Sequence, residues 1–223
     1  MISVVIPALD EEDTVAAAIA SVRDEADEVI VADGGSRDRT RERAQAAGAS
    51  ILEAERGRGA QLQRGAAAAR GDWLVFLHAD TRLDAGWSRA LAALPPAAPG
   101  GAFRFAVDSP RRAYRVIEMG TRLRCRLLGL PYGDQALFAR RSAYDAAGGF
   151  RPLPLMEDVD FVRRLARVGR LALLSCRAVT SPRRWEECGV VRRTLTNWRV
   201  LVLYALGRPP ERLERLYSGT GRR

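Results

Sequence analysis

The sequence predicts an α/β fold: a mainly parallel sheet flanked by helices, then a smaller second half and a basic C-terminal helix. Three observations carry this. Strand, turn and helix alternate four times before Leu94, the pattern of a parallel sheet with helices on both faces. The strand segments are short apolar runs rich in branched and aromatic side chains, as in Ile2–Ile6 and Trp73–Leu77, which suits strands buried on both sides. Three of them run into a carboxylate, at Asp10, Asp33 and Asp80, and open α/β sheets bind ligands beyond the carboxyl ends of their strands.

Composition narrows the possibilities. The 223 residues suit one large α/β domain, alone or with a tail, and 47% hydrophobic content is enough for a sizeable core. The net charge is +9 and every Lys-or-Arg position is Arg. Without Lys there is no P-loop and no Schiff-base amine. The Arg excess points to anionic partners such as phosphates, nucleic acid or an acidic membrane, or to a plain compositional preference for Arg. Cys125, Cys176 and Cys188 are scattered, so neither a zinc site nor a disulfide framework is expected. Unpaired cysteines and the lack of a leader after Met1 predict a reduced, cytoplasmic chain.

Ile2–Ile6 is the first strand, closed by Pro7. Asp10 or Asp13 can cap the helix Thr14–Arg23, whose Val15, Ile19 and Val22 form an apolar stripe. Glu28–Ala32 is the second strand. It stops at Asp33-Gly34-Gly35-Ser36, and Ser36 or Asp38 can cap the helix Arg37–Ala47. Ser50–Ala54 is the third strand. Arg56-Gly57-Arg58-Gly59 then enters the helix Ala60–Arg70 as a glycine-rich anion cradle or an exposed basic loop. Trp73–Leu77 is the fourth strand, ending on His78-Ala79-Asp80. Asp80 either starts a turn or ligates a hard cation such as Mg²⁺ or Mn²⁺.

Pro95–Gly101 is the best internal boundary. Beyond it we expect a strand at Ala102–Val107, an Arg-rich helix at Arg111–Leu128, a turn at Leu130–Gln135, a short strand at Ala136–Ala139 and a helix at Ser142–Ala147. Pro152–Phe161 leads into the helix Val159–Val168. Asp158 is there either an N-cap or a base held ionised by the helix dipole. Leu171–Leu174 is the last strand. Val190–Leu206 is an apolar helix carrying Arg192, Arg193 and Arg199, able to lie on an anionic membrane or to pack on the main domain or another subunit. The tail to Arg223 is expected to be poorly ordered.

Four of these stretches, taken together and in order, resemble the family 2 glycosyltransferases. They are SVVIPALDEE, VIVADGGSRDRT, GDWLVFLHADTR and PLMEDVDF, and they spread over most of the chain. The resemblance implies a GT-A fold with a catalytic domain over 1–182, split into a nucleotide-sugar half (1–100) and an acceptor half (101–182). A basic amphipathic segment, 183–223, follows. It implies an inverting transfer from a nucleoside-diphosphate sugar to a hydroxyl. Pro7, Asp10, Glu11, Asp33 and Gly34 would hold base and ribose, with His78 and Ala79 beside the donor. Arg58, Gly59 and Arg64 would face its phosphates. Asp80 matches the last carboxylate of the family's DxD metal motif, so the cofactor is Mg²⁺ or Mn²⁺. Its first carboxylate is His78 here. Asp158 matches the catalytic base. Asp134, Gln135, Glu157, Arg184 and Trp185 fall on the acceptor side.

The acceptor, a lipid-linked one included, is not named by the sequence, and neither an oligomer nor a peripheral membrane contact is decided. No nucleic-acid-reading motif is present. A nucleotidyltransferase acting on a sugar phosphate and an inactive nucleotide-sugar-binding relative are the competing expectations.

Overall fold

The structure is a computed structural model and describes residues 1–129 and 131–218. In chain order the elements are β1 (Ile2–Ala8), α1 (Val15–Ala20), β2 (Glu28–Asp33), α2 (Thr40–Ala46), β3 (Ser50–Glu53), α3 (Arg58–Ala68), β4 (Trp73–Phe76), β5 (Thr81–Leu83) and α4 (Trp87–Ala92). They continue with β6 (Gly100–Val107), α5 (Arg112–Leu128), β7 (Leu137–Arg140), α6 (Arg141–Ala146), α7 (Glu157–Val168), β8 (Ala172–Thr180), α8 (Arg183–Cys188), α9 (Val190–Ala205) and α10 (Pro210–Ser218). A single 3-10 turn, Gly133–Gln135, lies between α5 and β7.

One sheet holds all eight strands in the order β3-β2-β1-β4-β7-β6-β8-β5. The first four are parallel, as the alternation predicts. β7 is antiparallel to both β4 and β6. The sheet has an apolar layer on each face. Val4, Ile6, Val75 and Leu77 point into one, with Trp87, Phe103 and Phe138. Val5, Leu74 and Phe76 point into the other, with Tyr144, Phe150 and Phe161. This is the period of two expected of strands buried on both sides. Phe76 meets Phe150 edge-on at 4.8 Å between ring centroids, and Phe150 meets Phe161 at 4.4 Å. These contacts pin the start of α7 under the end of β4.

Several boundaries differ from expectation. β5 went unforeseen because three residues show no periodicity; it pairs with β8 and starts directly after Asp80. β8 does not stop at Leu174 but runs to Thr180, alternating in burial along its parallel pairing with β6. α8 was not expected either. The tail is ordered through α10, where Leu213 is buried with Leu155, Met156, Val159 and Val200. Leu213, Leu216 and Tyr217 recur at helical spacing after Pro210, a legible signal. Residues 219–223 of that tail, and Leu130 of the expected turn, lie outside the described residues.

The caps also differ. Thr14 precedes α1 without a side-chain cap bond, whereas Asp38 does serve α2, its Oδ1 accepting the N–H of Thr40, the first helical residue (2.9 Å). α7 is capped by Met156 at φ 67°, so Asp158 is its second residue and not its N-cap.

Candidate active site

The carboxyl ends of the parallel strands carry two adjoining clusters. The first joins the turn after β1 to the turn after β2. Asp33 is fully buried. Its carboxylate accepts hydrogen bonds from the N–H groups of Gly35 and Ser36, from Ser36 Oγ and from Arg41 Nε (2.6 Å). Burial alone would raise its pKa, but the bonds from Ser36 and Arg41 outweigh it and hold the carboxyl below the usual range. Asp10, at φ 53°, receives the Arg37 N–H (2.8 Å) and donates its own N–H to Ser36 Oγ (3.0 Å). Gln61 on α3 donates to the carbonyls of Ala8 (2.7 Å) and Ala32 (2.9 Å), clamping the ends of β1 and β2. Gly34 lets that amide approach closely: a Cβ there would stand 3.0 Å from Gln61 Nε2. Pro7 sits in β1 opposite Ala32.

The second cluster lines a cavity of about 130 Å³. β4 delivers His78 and Asp80 to it, the 3-10 turn delivers Asp134, and the start of α7 delivers Asp158. Arg58, Tyr132 and Trp185 complete the polar wall, and α9 and α10 cover it with Arg193, Asn197, Val200 and Tyr217. Residues from positions 58 to 217 thus converge on one space, with Asp80 and Asp158 on the same wall system.

Asp158 is fixed in direction by backbone. Its Oδ2 accepts the Gly133 N–H (2.7 Å) and its Oδ1 accepts the Val159 N–H (2.8 Å). Gly133 leaves room for a close approach: a Cβ would lie 3.0 Å from His78 Nε2 and 3.1 Å from Asp158 Oδ2. His78 and Asp158 are therefore near neighbours across that glycine. Beside them Glu157 is buried and ion-paired with Arg58. Burial disfavours the Arg58 charge, but the carboxylates of Glu157 and Asp158 prevail and raise its pKa.

Four buried polar atoms in and beside this cavity find no hydrogen-bond partner among the described residues: Tyr132 Oη, Asp134 Oδ1, Glu157 Oε2 and Trp185 Nε1. Such atoms are costly in a closed core and are expected where a ligand or water supplies the partner. Asp134 is the clearest case. Burial pushes its pKa up to about 6, against the pull of Arg124.

That shift has a sign. A carboxyl with a higher pKa in the folded chain than in the unfolded one costs stability only when ionised. The cost is absent below about pH 4 and complete above about pH 6. Asp134→Asn is therefore expected to be more stable than the parent by on the order of 3 kcal/mol near neutrality, with the gain vanishing as the pH falls through that window. Thermal melts across pH check this; a gain independent of pH would contradict it.

The arrangement suits a divalent cation shared with a ligand. Among the described residues no group of three or more His, Cys, Asp and Glu side chains is arranged to hold a metal alone. Mg²⁺ and Mn²⁺ commonly use one or two protein carboxylates and take their other oxygens from phosphate and water. Asp80, with His78 beside it, offers that partial set.

Not every expected residue joins the cavity. Arg64 is exposed on α3, and Ala79 is buried in the core layer. Gly59 serves packing, since a Cβ would collide with the Arg151 carbonyl. Gln135 is buried, donating to the Phe103 carbonyl (3.2 Å) and accepting from the Tyr132 N–H (3.2 Å), so it holds the turn in shape. Trp185 does line the cavity, held there by packing on Phe105 and Tyr114. The Arg184 side chain lies outside the described residues. Sequence reading missed Arg183, which bonds both carboxylate oxygens of Glu11 (2.9 and 2.7 Å) and ties the chain after β8 to the first cluster. It also missed Tyr132, Arg193, Asn197 and Tyr217, whose helices and loops carry no motif.

Comparison with known proteins agrees with this fold. A glucosyl-3-phosphoglycerate synthase of Mycolicibacterium paratuberculosis is 46% identical over 92 residues, which take in 35% of this chain and 28% of that one. A crystal structure of a mycobacterial protein superposes with a TM-score of 0.57 at 29% identity, covering 81% of this chain and 65% of the other. The glucosyl-3-phosphoglycerate synthase of Mycobacterium tuberculosis, solved with Mn²⁺, UDP-glucose and phosphoglyceric acid, gives 0.54 at 25% identity, covering 81% and 69%. This chain thus spans only part of the relatives that it matches. Residues 3–153 match the model of glycosyl transferase family 2, a segment that ends before Asp158. The curled, mainly parallel sheet, the acidic strand ends and that match over well more than half of the sequence agree, and the chain belongs to glycosyl transferase family 2.

Proposed function

We propose that this chain is a metal-dependent inverting glycosyltransferase that moves a sugar from a nucleoside diphosphate to the hydroxyl of a small acceptor. The observation that carries this reading is the shared cavity of Asp80 and Asp158. A donor of the UDP-glucose kind and an acceptor of the phosphoglycerate kind are the first to test, because the relatives bind them.

Base and ribose lie at the ends of β1 and β2, in the turn that Asp33 and Asp10 organise. Asp80 and His78 would hold the cation beside the diphosphate. When bound, it offsets the charge growing on the leaving diphosphate. Asp158 takes the proton of the acceptor hydroxyl as its oxygen attacks the anomeric carbon, and the bond to the diphosphate oxygen breaks on the opposite side. A single displacement needs a base and no protein nucleophile. Two backbone N–H donors keep the Asp158 carboxylate aimed into the cavity. Asp134, Tyr132 and Trp185 supply the unpartnered polar atoms that the acceptor engages.

The test is incubation of the full chain with UDP-glucose, phosphoglyceric acid and Mn²⁺, with product configuration read by NMR. A product of inverted anomeric configuration, lost on adding EDTA, is expected. Retained configuration or EDTA-insensitive transfer would overturn the corresponding part. If this pair is inert, a panel of nucleotide sugars and hydroxyl acceptors takes its place, and absence of transfer throughout would overturn the enzymatic reading.

A further inference from the structure

Away from the cavity, two helices carry apolar stripes that nothing among the described residues covers. On α5 these are Val116, Met119, Leu123 and Leu127. On α9 they are Val191, Leu195, Trp198 and Val202, continued by Leu206 at its C-terminal cap. Each of the nine is 48% to 75% exposed. The spacings of three and four put each set on one face of its helix. Single exposed apolar residues are ordinary, but two aligned rows of large side chains are not.

The two helices are joined. Tyr114 and Ile117 of α5 pack with Trp185 and with Val190, the first residue of α9, in one small cluster. Charge accompanies both rows. α5 carries five Arg and a single acidic residue, Glu118, which pairs with Arg115. α9 carries three Arg and no acidic residue. Arg122, Arg126, Arg192 and Arg199 are exposed. By helical geometry Arg122 and Arg126 flank the α5 row, and Arg192 and Arg199 flank the α9 row.

We infer that the α5 and α9 faces dock this protein on an anionic membrane surface. The charge decides between occupants. A second copy meeting this face would bring like charges together, whereas acidic headgroups complement the arginines while the apolar rows enter the acyl boundary. Trp198 has the amphipathic ring favoured at that boundary. Among the described residues no helix is long and apolar enough to cross a membrane, so the contact is a surface one. The opposite face of α9 lines the cavity through Arg193, Asn197 and Val200, so docking brings the site close to the lipid. The inference does not depend on which sugar is transferred.

The experiment is flotation of the full chain with vesicles of phosphatidylcholine alone or mixed with phosphatidylglycerol. Binding to the mixed vesicles, weakened by salt and absent from the neutral ones, is expected. The double variant Leu123→Glu/Leu195→Glu should lose about tenfold or more of that binding. Both positions are exposed, so its melting temperature should match the parent's. No binding to anionic vesicles, or binding unchanged in the double variant, would overturn the inference. A concentration-dependent dimer in light scattering that the same substitutions dissolve would also overturn it, because the occupant would then be a second copy.

Discussion

Replacing Asp158 by Asn is expected to cut sugar transfer by about 10³-fold while leaving nucleoside-diphosphate affinity nearly unchanged. Asn keeps the size of the side chain, and its oxygen can still accept from either the Gly133 or the Val159 N–H that now hold the carboxylate. The fold cost is thus about one hydrogen bond, on the order of 1 kcal/mol. What Asn cannot do is take a proton from an attacking hydroxyl. The loss should therefore appear in kcat and not in calorimetric binding of the diphosphate. Turnover equal to the parent's would remove Asp158 from its role. A matching loss of nucleotide affinity would make it a donor-binding residue instead.

Asp80→Asn is expected to act on the other side of that division. With Mn²⁺ present, affinity for a nucleoside diphosphate should fall roughly tenfold or more, and EDTA should then have little further effect. A neutral amide is a poor ligand for a hard dication, and His78, the other donor of the pair, suits softer ions. Asp80 stands where β4 has ended and β5 begins, and the Ser181 N–H bonds its carbonyl (3.0 Å). Its backbone is held on both sides, so the substitution changes chemistry more than shape. Calorimetry with and without EDTA reads this. Metal-dependent affinity that survives in the variant would assign the cation to other residues.

Much of this was legible before any coordinates. The parallel half announced itself because β1, β2 and β4 are buried on both faces and so read as unbroken apolar runs. Asp33, Asp80 and Asp158 were marked by sitting where such runs end or where a helix begins. The illegible parts have physical reasons. β5 is too short for any period, and β8 alternates instead of running apolar, so its second half read as loop. The roof of the cavity was hidden because α9 is apolar on two sides: Val191, Leu195, Trp198 and Val202 face solvent, while Val200, Leu201 and Tyr204 pack inward and Arg193 and Asn197 border the cavity. Hydropathy alone does not tell the two faces of such a helix apart. Asp134 stood in a turn where its burial could not be guessed, and only packing raises its pKa to about 6. Arg183 pairs with Glu11 across 172 positions, a separation that no local pattern reports.

The most direct test of the account is a crystal structure of the Asp158→Asn protein grown with Mn²⁺ and an intact nucleotide sugar. The account predicts an anomalous manganese peak on the Asp80 carboxylate in contact with the diphosphate, and the sugar in the same cavity with its anomeric carbon open toward residue 158. A manganese ion bound away from Asp80, or a sugar lying outside the space that these two residues share, would contradict it.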